Sequence, residues 1–265
     1  MKKILAVVLT MVMGLSMAAC TKSAGAGASD SDMQYVKDKG KLVVGITEFA
    51  PMDYKDENGN WVGFDADMAA AFAESLGVDV EFVLIDWDNK TFELESKTID
   101  CVWNGMTLTD DVRAAMDCSV AYCNNAQIVI VPASEADKYQ SVESLSGLNF
   151  AVEASSAGKG QAEALGFKYT EVGAQADALM EVAAGTSDAA IIDSLMAAAM
   201  VGEGTSYENL TYTVKLNTEE YGVGFRKGSD LVEELNKFFV KSYEDKSMIE
   251  CAEKYKVQAS LIEQK

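Results

Sequence analysis

The sequence predicts an α/β fold in which two similar units carry mostly parallel sheets. Short apolar runs rich in Val and Ile alternate with helical segments from about residue 33, and a similar series starts near Asn149. Such alternation is typical of parallel sheets. The 265 residues, 49% of them hydrophobic, suffice for two packed lobes. Ligands of such sheets bind beyond the carboxyl ends of the strands, so we expect the site in the cleft between the lobes.

The first unit begins with a short apolar strand at 41–46. The Asn-Gly pair at 58–59 predicts a hairpin turn that leads into a strand at 61–64. Helical composition at 67–76 ends at Gly77, a common helix terminator. The remaining predicted elements are strands at 80–85, 98–103 and 126–131 and a short helix at 110–116.

The second unit repeats the alternation. A strand at 149–152 leads through Ser155 and Ser156 into a helix at 158–165. The other predicted strands lie at 168–172, 189–192, 212–216 and 222–225, and the other predicted helices at 177–184, 195–201, 230–243 and 247–255.

The N-terminal residues predict export and a lipid anchor. Lys2 and Lys3 precede an apolar run at 4–17, and two small residues then lead to Cys20. This run is too short for a membrane span and is typical of a secretory signal. The small residues before Cys20 resemble the lipobox of bacterial lipoproteins, in which the cysteine is acylated; an ordinary cleaved signal is the alternative. Residues 21–32 are rich in Gly, Ala and Ser and predict a flexible tether.

The composition excludes several classes of function. A net charge of −20 disfavours nucleic acid as a partner, because an acidic surface repels phosphates. The chain has no histidine, which excludes His-based triads and the common zinc sites. The cysteines after Cys20 show neither zinc nor redox spacing, and a disulfide and reduced core thiols both stay open. We predict no metal site and no cofactor.

Two strand ends of the second unit offer groups for a charged ligand. Ser155 and Ser156 open a helix whose free amides, with two hydroxyls, suit a carboxylate. A plain helix cap is the alternative, and spacing alone favours it. Asp193 follows the buried strand at 189–192, where its carboxylate would suit an ammonium group. Capping of the next helix is an equally supported alternative.

Six residues of the first unit are further candidates by type and position: Phe49, Trp87, Asn104, Gly105, Thr107 and Arg113. Gly105 lets the backbone approach a ligand closely, and Thr107 offers a hydroxyl. Arg113 would clamp a carboxylate, although a surface ion pair is the commoner role of such a residue. The two aromatic residues would stack on a ligand, although most residues of this kind pack in the core.

The segment Gly63-Phe64-Asp65-Ala66-Asp67-Met68 resembles the signature of the polar amino-acid substrate-binding proteins of bacterial ABC transporters, solute-binding protein family 3. Ala66 replaces the usual branched residue. The likeness extends over nearly all of the chain from Met33 on, in segments at 105–109, 116–119, 188–193 and 221–224. It implies a two-lobed periplasmic-binding-protein fold of type 2, with lobe one at 33–124 and 221–265, lobe two at 125–220, and hinge crossovers near 124–127 and 218–221.

The resemblance also implies roles for individual residues. Six match ligand-binding positions of the family: Phe49 and Trp87 as stacking residues, Gly105 and Thr107 as backbone and hydroxyl contacts, Ser156 for the α-carboxylate and Asp193 for the α-ammonium. Glu48 and Asn104 would shape the choice of ligand side chain.

The carboxylate-binding arginine of the family has no direct match. Its position is Val112 here, and Arg113 lies one place later, roughly 100° further round a helix. Three explanations stay open. The local turn brings Arg113 inward, the carboxylate relies on helix amides and hydroxyls, or the ligand is not a plain α-amino acid.

The resemblance therefore implies an extracytoplasmic, membrane-anchored lipoprotein that captures an amino acid and delivers it to the permease of an ABC importer. We expect a monomer without catalytic residues. A dehydratase on the same fold is the alternative, and it would need an acid–base pair such as Glu48 and Asp193. An extracellular sensor domain is a third interpretation.

Overall fold

The computed structural model describes residues 31–265. The predicted signal peptide at 1–20, with its predicted lipidation site at Cys20, and most of the predicted tether lie outside the described residues. The strands are β1 (Lys41–Ile46), β2 (Tyr54–Lys55), β3 (Trp61–Val62), β4 (Asp79–Leu84), β5 (Cys101–Thr107), β6 (Asp117–Cys118), β7 (Cys123–Asn125), β8 (Gln127–Pro132), β9 (Asn149–Glu153), β10 (Lys168–Val172), β11 (Ala189–Asp193), β12 (Leu210–Lys215) and β13 (Glu219–Phe225). The α-helices are α1 (Asp32–Lys39), α2 (Phe64–Leu76), α3 (Lys90–Glu95), α4 (Asp110–Ala115), α5 (Ala157–Leu165), α6 (Gln175–Ala184), α7 (Ser194–Met200), α8 (Leu231–Glu244) and α9 (Ser247–Lys254).

The first lobe is built on a six-stranded sheet with the order β4-β1-β5-β13-β6, in which β7 also pairs with β13. Strand β1 runs parallel to β4 and β5 and places Val44 beside Phe82 and Cys101. Strand β13 runs antiparallel to β5, β6 and β7. Strands β2 and β3 form the predicted hairpin.

The second lobe is built on a five-stranded sheet with the order β10-β9-β11-β8-β12. Strand β9 runs parallel to β10 and β11, whereas β8 runs antiparallel to β11 and β12. The prediction of mostly parallel sheets is therefore wrong, because both sheets are mixed. The strands that run antiparallel to the rest include β8 and β13. Each is the strand by which the chain enters that sheet after it crosses from the other lobe. They start at the cleft, where the parallel strands end.

Two segments join the lobes. The chain passes from β7 to β8 through Ala126 and returns between β12 and β13 through residues 216–218. The two segments are bonded to each other, because the Gln127 amide donates to Asn217 Oδ1 at 2.7 Å and the Leu216 amide donates to the Gln127 carbonyl at 2.9 Å. The lobes are thus connected by one paired strip of chain.

Arg226 ties three parts of the first lobe together. Its Nε donates to both carboxylate oxygens of Asp32, at 3.1 and 3.0 Å. Its Nη1 donates to the carbonyls of Leu94 and Ile99, at 3.2 and 2.7 Å, and Nη2 reaches Asp100 Oδ1 at 3.4 Å. Asp32 and Asp100 are buried. This cluster joins helix α1, the segment before β5 and the end of β13.

The folded part begins earlier than predicted. Ser31 caps helix α1, since its hydroxyl accepts from the Gln34 amide at 3.0 Å and donates to Asp230 Oδ2 at 2.5 Å. Ser31 and Asp32 therefore belong to the fold and not to the tether, because their side chains are bonded to the body of the lobe.

Within residues 31–265, no helix combines the length and the apolar character needed to cross a membrane. The four cysteines of this part of the chain are free thiols.

Candidate functional site

A cavity of about 960 Å³ lies between the lobes, where strands β1, β5, β9 and β11 end. Its volume is within the range of small-molecule sites. Seven of the eight predicted site residues line it: Phe49, Trp87, Asn104, Gly105, Thr107, Ser156 and Asp193. This is the cleft that the sequence predicts.

Arg113 is the predicted site residue that the structure does not bring to the cavity. Helix α4 begins at Asp110, capped by the Thr109 hydroxyl, and it turns Val112 toward the cavity. Arg113 is one residue further round the helix and is exposed. The turn therefore does not bring Arg113 inward, which leaves two of the three explanations for the missing arginine.

Strand β5 is longer than predicted. It runs to Thr107, so residues 104–107 lie within the strand and not after it. Gly105 has a φ of +53°, and a Cβ there would lie 2.2 Å from the Phe49 ring. Only glycine fits this irregular stretch, because a side chain would meet both strain and a clash.

Buried carboxylates support the first-lobe side of the cavity. Asp65 Oδ2 accepts from the Gly105 amide at 2.6 Å and from the Tyr122 hydroxyl at 2.7 Å. The Asn104 amide nitrogen donates to Asp53 Oδ2 at 2.7 Å. Burial raises the pKa of Asp65 to about 7, and burial followed by the charge of Asp65 raises the pKa of Asp53. Asn104 and Gly105 are thus held by groups beneath the cavity.

The two aromatic candidates are largely buried. Phe49 packs edge-on against Tyr221, with ring centroids 6.3 Å apart. The Lys90 Nζ lies 4.7 Å from the centroid of the Trp87 ring, within the range of a cation–π contact. Protein contacts therefore fix both rings at the cavity wall, where they also serve as core residues.

Asp193 lies at the end of β11 and is only 3% exposed. Its Oδ1 accepts hydrogen bonds from Gln127 Nε2 and the Tyr221 hydroxyl, each at 2.8 Å, and also from Asn125. Its Oδ2 accepts from Gln175. Asp193 makes no side-chain bond to the start of α7, so the helix-cap alternative is wrong. Oδ2, with one donor against three on Oδ1, is the less occupied oxygen of this carboxylate.

Glu219, at the start of β13, lies next to Asp193 and shares its donors. Its Oε1 accepts from Asn125 and Gln127, both at 2.7 Å, and from the Thr107 hydroxyl at 2.9 Å. Burial, and then the charge of Glu219, raises the pKa of Asp193 to about 7. A cation beside Asp193 would reverse this effect, because an opposite charge favours the ionised carboxylate.

Ser156 caps helix α5, because its hydroxyl accepts from the Lys159 amide at 3.1 Å. The helix-cap alternative is therefore correct for this residue, which also lines the cavity. Its neighbour Ser155 has a φ of +54° and joins the two lobes. The Ser155 hydroxyl bonds to Asp88, and the Lys90 Nζ donates to the Ser155 carbonyl at 3.2 Å.

Several polar residues in and beside the cavity were not predicted. Asn125, Gln127, Gln175 and Glu219 surround Asp193, yet they come from three stretches of the chain that are distant from Asp193 in the sequence. Glu153 could have been predicted from the sequence, because it ends strand β9 as Asp193 ends β11. A carboxylate at the end of a buried strand was the signal that identified Asp193. The predicted strand stopped one residue short of it.

The fold and the site together define a class of protein, the two-lobed binding proteins in which a polar cleft between α/β lobes takes a small molecule. Within that class, the chain belongs to the bacterial extracellular solute-binding proteins, family 3, whose model matches residues 42–258.

Individual relatives agree. The chain is 30% identical over 244 residues to the arginine-binding extracellular protein ArtP of Bacillus subtilis. This match covers 89% of this chain and 93% of that protein. An ancestral amino acid-binding protein, a precursor of cyclohexadienyl dehydratase, matches with a TM-score of 0.78 and 30% identity over 85% of this chain and 99% of its own. A substrate-binding protein of an ABC uptake transporter from Streptococcus pneumoniae, solved with bound histidine, matches with a TM-score of 0.78 and 28% identity over 86% of this chain and 96% of its own.

Proposed function

We propose that this protein holds an amino acid in the cleft by its two charged ends and delivers it to an ABC importer. The observation that carries the proposal is Asp193, a buried carboxylate at the cavity whose Oδ2 accepts from one protein donor, Gln175. Three relatives bear names of amino-acid-binding or substrate-binding proteins, which supports the same conclusion.

In this proposal Asp193 binds the α-ammonium group. The four donors around it hold the carboxylate in place, so little reorganisation is needed when the ligand arrives. The α-carboxylate binds at Ser156 and the start of helix α5, where helix amides favour an anion. Phe49 and Trp87 pack against the ligand from the first lobe.

Binding then stabilises the closed arrangement of the lobes. We assign residues 33–124 and 221–265 to one lobe and 125–220 to the other, with the paired strip at 126 and 216–218 as the hinge. A ligand that touches both lobes favours the closed form by its differential affinity for that form. The importer binds a single closed copy of the protein.

A thermal-shift screen of the purified protein against the twenty amino acids tests the proposed function. At 100 times its Kd, a ligand adds ~2.7 kcal/mol to the free energy of unfolding, which raises the Tm by ~5–11 °C. We expect such a shift for at least one amino acid, and calorimetry should then give one site per chain. If none of the twenty changes the Tm, the proposal is wrong.

We also propose that Cys20 anchors the protein to the outer face of the cytoplasmic membrane, on the basis of residues 4–20. A single acyl chain binds membranes only weakly, so stable anchoring requires the several chains of a lipoprotein. The Cys20→Ala variant should leave the membrane fraction and appear in the soluble fraction, as judged by immunoblot. A variant that stays with the membrane would contradict the anchor.

A dehydratase is the second candidate, because the chain is similar to an amino-acid-binding precursor of one. Glu48 and Asp193 both line the cavity and are the expected acid–base pair. Incubation with the ligand found in the screen, followed by mass spectrometry, separates the candidates. Loss of water from the ligand would support the enzyme, and complete recovery of the ligand would support the binding protein.

A further inference from the structure

The cavity between the lobes is strongly acidic. Seven carboxylates and two lysine ammonium groups line it, and three of the carboxylates, Glu153, Asp193 and Glu219, are buried or half-buried. Neither lysine forms an ion pair with these three. Lys159 pairs with Glu171 at 3.1 Å, and Lys90 donates to the carbonyls of Trp87 and Ser155. The lining therefore favours a ligand with net positive charge.

Glu153 stands out within this group. It is 4% exposed and lines the cavity, where its carboxylate faces the side-chain amide of Gln175, a donor that also bonds to Asp193. Asp193 and Glu219 are each surrounded by four donor residues. A buried carboxylate with so few donors is costly, and such groups normally have more partners. A cationic group in the cavity would supply Glu153 with a further partner.

We propose that the ligand carries a second cationic group, which binds Glu153 while its α-ammonium group binds Asp193. The substrate class is then a diamino or guanidino acid with a net charge of +1. This inference rests on the proposed function, because it takes Asp193 as the α-ammonium site. Placed between carboxylates in the cleft, the second cation is bound by charge-assisted hydrogen bonds, which are stronger than neutral ones.

The charged groups around Glu153 make binding proton-linked. Burial, then the charge of Asp193, raises the pKa of Glu153 to about 8; the charge of Lys90 and the hydrogen bond from Gln175 oppose this shift, and Asp177 adds to it weakly. A cation that binds Glu153 lowers that pKa, so binding at pH 7 releases a proton. Affinity for the cationic ligand therefore rises with pH between about 6 and 8 and levels off above the pKa of the unliganded site.

Calorimetry with pairs of ligands that match in shape but differ in charge tests the inference on the purified protein. Arginine is compared with citrulline, and lysine and ornithine with glutamine. We expect at least one cationic amino acid to bind ~10-fold or more tightly than its neutral counterpart. Repeating the titration in two buffers of different ionisation enthalpy should show more protons released with arginine than with citrulline.

The Glu153→Gln variant assigns the preference to this residue. It should weaken binding of the cationic ligand ~10-fold while the neutral ligand changes less than ~3-fold, and the difference in proton release should disappear. Glu208→Gln, an exposed change in the same lobe and outside the cavity, should alter neither. Thermal melts of each variant report whether it is folded.

The outcomes are distinct. If arginine, lysine and ornithine all bind no more tightly than their neutral counterparts, this inference is overturned and the proposed function still stands. An equal loss of both ligands in Glu153→Gln also overturns it, because the residue would then act on the fold of the cleft and not on the cation. A protein that binds no amino acid of any charge overturns both proposals.

Discussion

The Asp193→Ala variant is expected to bind its amino acid ~30-fold or more weakly than the natural protein. Truncating one partner of a desolvated, hydrogen-bonded charge pair costs ~2–5 kcal/mol, and ~2 kcal/mol corresponds to ~30-fold in Kd. The loss has two sources here. The α-ammonium group loses its counter-charge, and the donors from Asn125, Gln127, Gln175 and Tyr221 lose their acceptor. Calorimetry gives the change in Kd.

Two further variants make this result interpretable. Asp193→Asn keeps the size of the side chain, removes the charge and replaces one acceptor oxygen by a donor. It should still bind weakly, and a thermal melt reports whether it is folded. Asp188→Asn changes an exposed carboxylate just before the opposite end of strand β11 and should bind normally. An Asp193→Asn protein with unchanged affinity would show that this carboxylate does not hold the ammonium group.

The Arg226→Leu variant is expected to lose ~3–5 kcal/mol of its free energy of unfolding. Removing one partner of a buried ion pair leaves an uncompensated charge, and that is the typical cost. Asp32 would lose its partner, while Asp100 would keep Lys39, whose Nζ lies 2.5 Å away. Urea denaturation followed by circular dichroism measures the change.

Lys227→Leu is the matched control, because it changes the next residue along the chain. Lys227 also pairs with an aspartate, Asp117 at 3.2 Å, but both side chains are exposed. Exposed pairs contribute ~1 kcal/mol or less, so this variant should remain nearly as stable as the natural protein. If the two variants lose similar amounts of unfolding free energy, burial is not the reason why the Arg226 cluster stabilises the fold.

The sequence predicted most of the fold because hydrophobic periodicity is a local property. The strands at 41–46 and 168–172 match the structure, and helix α2 ends at Gly77 as expected. The direction of β8 and β13 was missed because it follows from where the chain crosses between lobes. That crossing is a property of the whole topology, which no window of sequence contains.

The candidate site was predicted only in part, for a related reason. Asp193 could be singled out because a carboxylate at the end of a buried strand is a local signal. The residues that bond to it could not, because Gln127 and Gln175 are ordinary polar residues until the fold brings them together. The prediction for Arg113 failed for the opposite reason. Arginine is a typical ligand of a carboxylate, but the turn of helix α4 directs this side chain to solvent.

The contacts at Ser155 affect how tightly the protein binds its ligands, but not which ligand it prefers. Asp88 and Lys90 of one lobe reach Ser155 of the other entirely through protein groups, so they favour closure to the same extent for every molecule in the cleft. A bias of this kind multiplies all affinities by one common factor, because it changes only the fraction of binding-competent protein. Substitutions at these contacts between the lobes can therefore change the affinity for all ligands together. The carboxylates of the cavity determine which ligand binds more tightly.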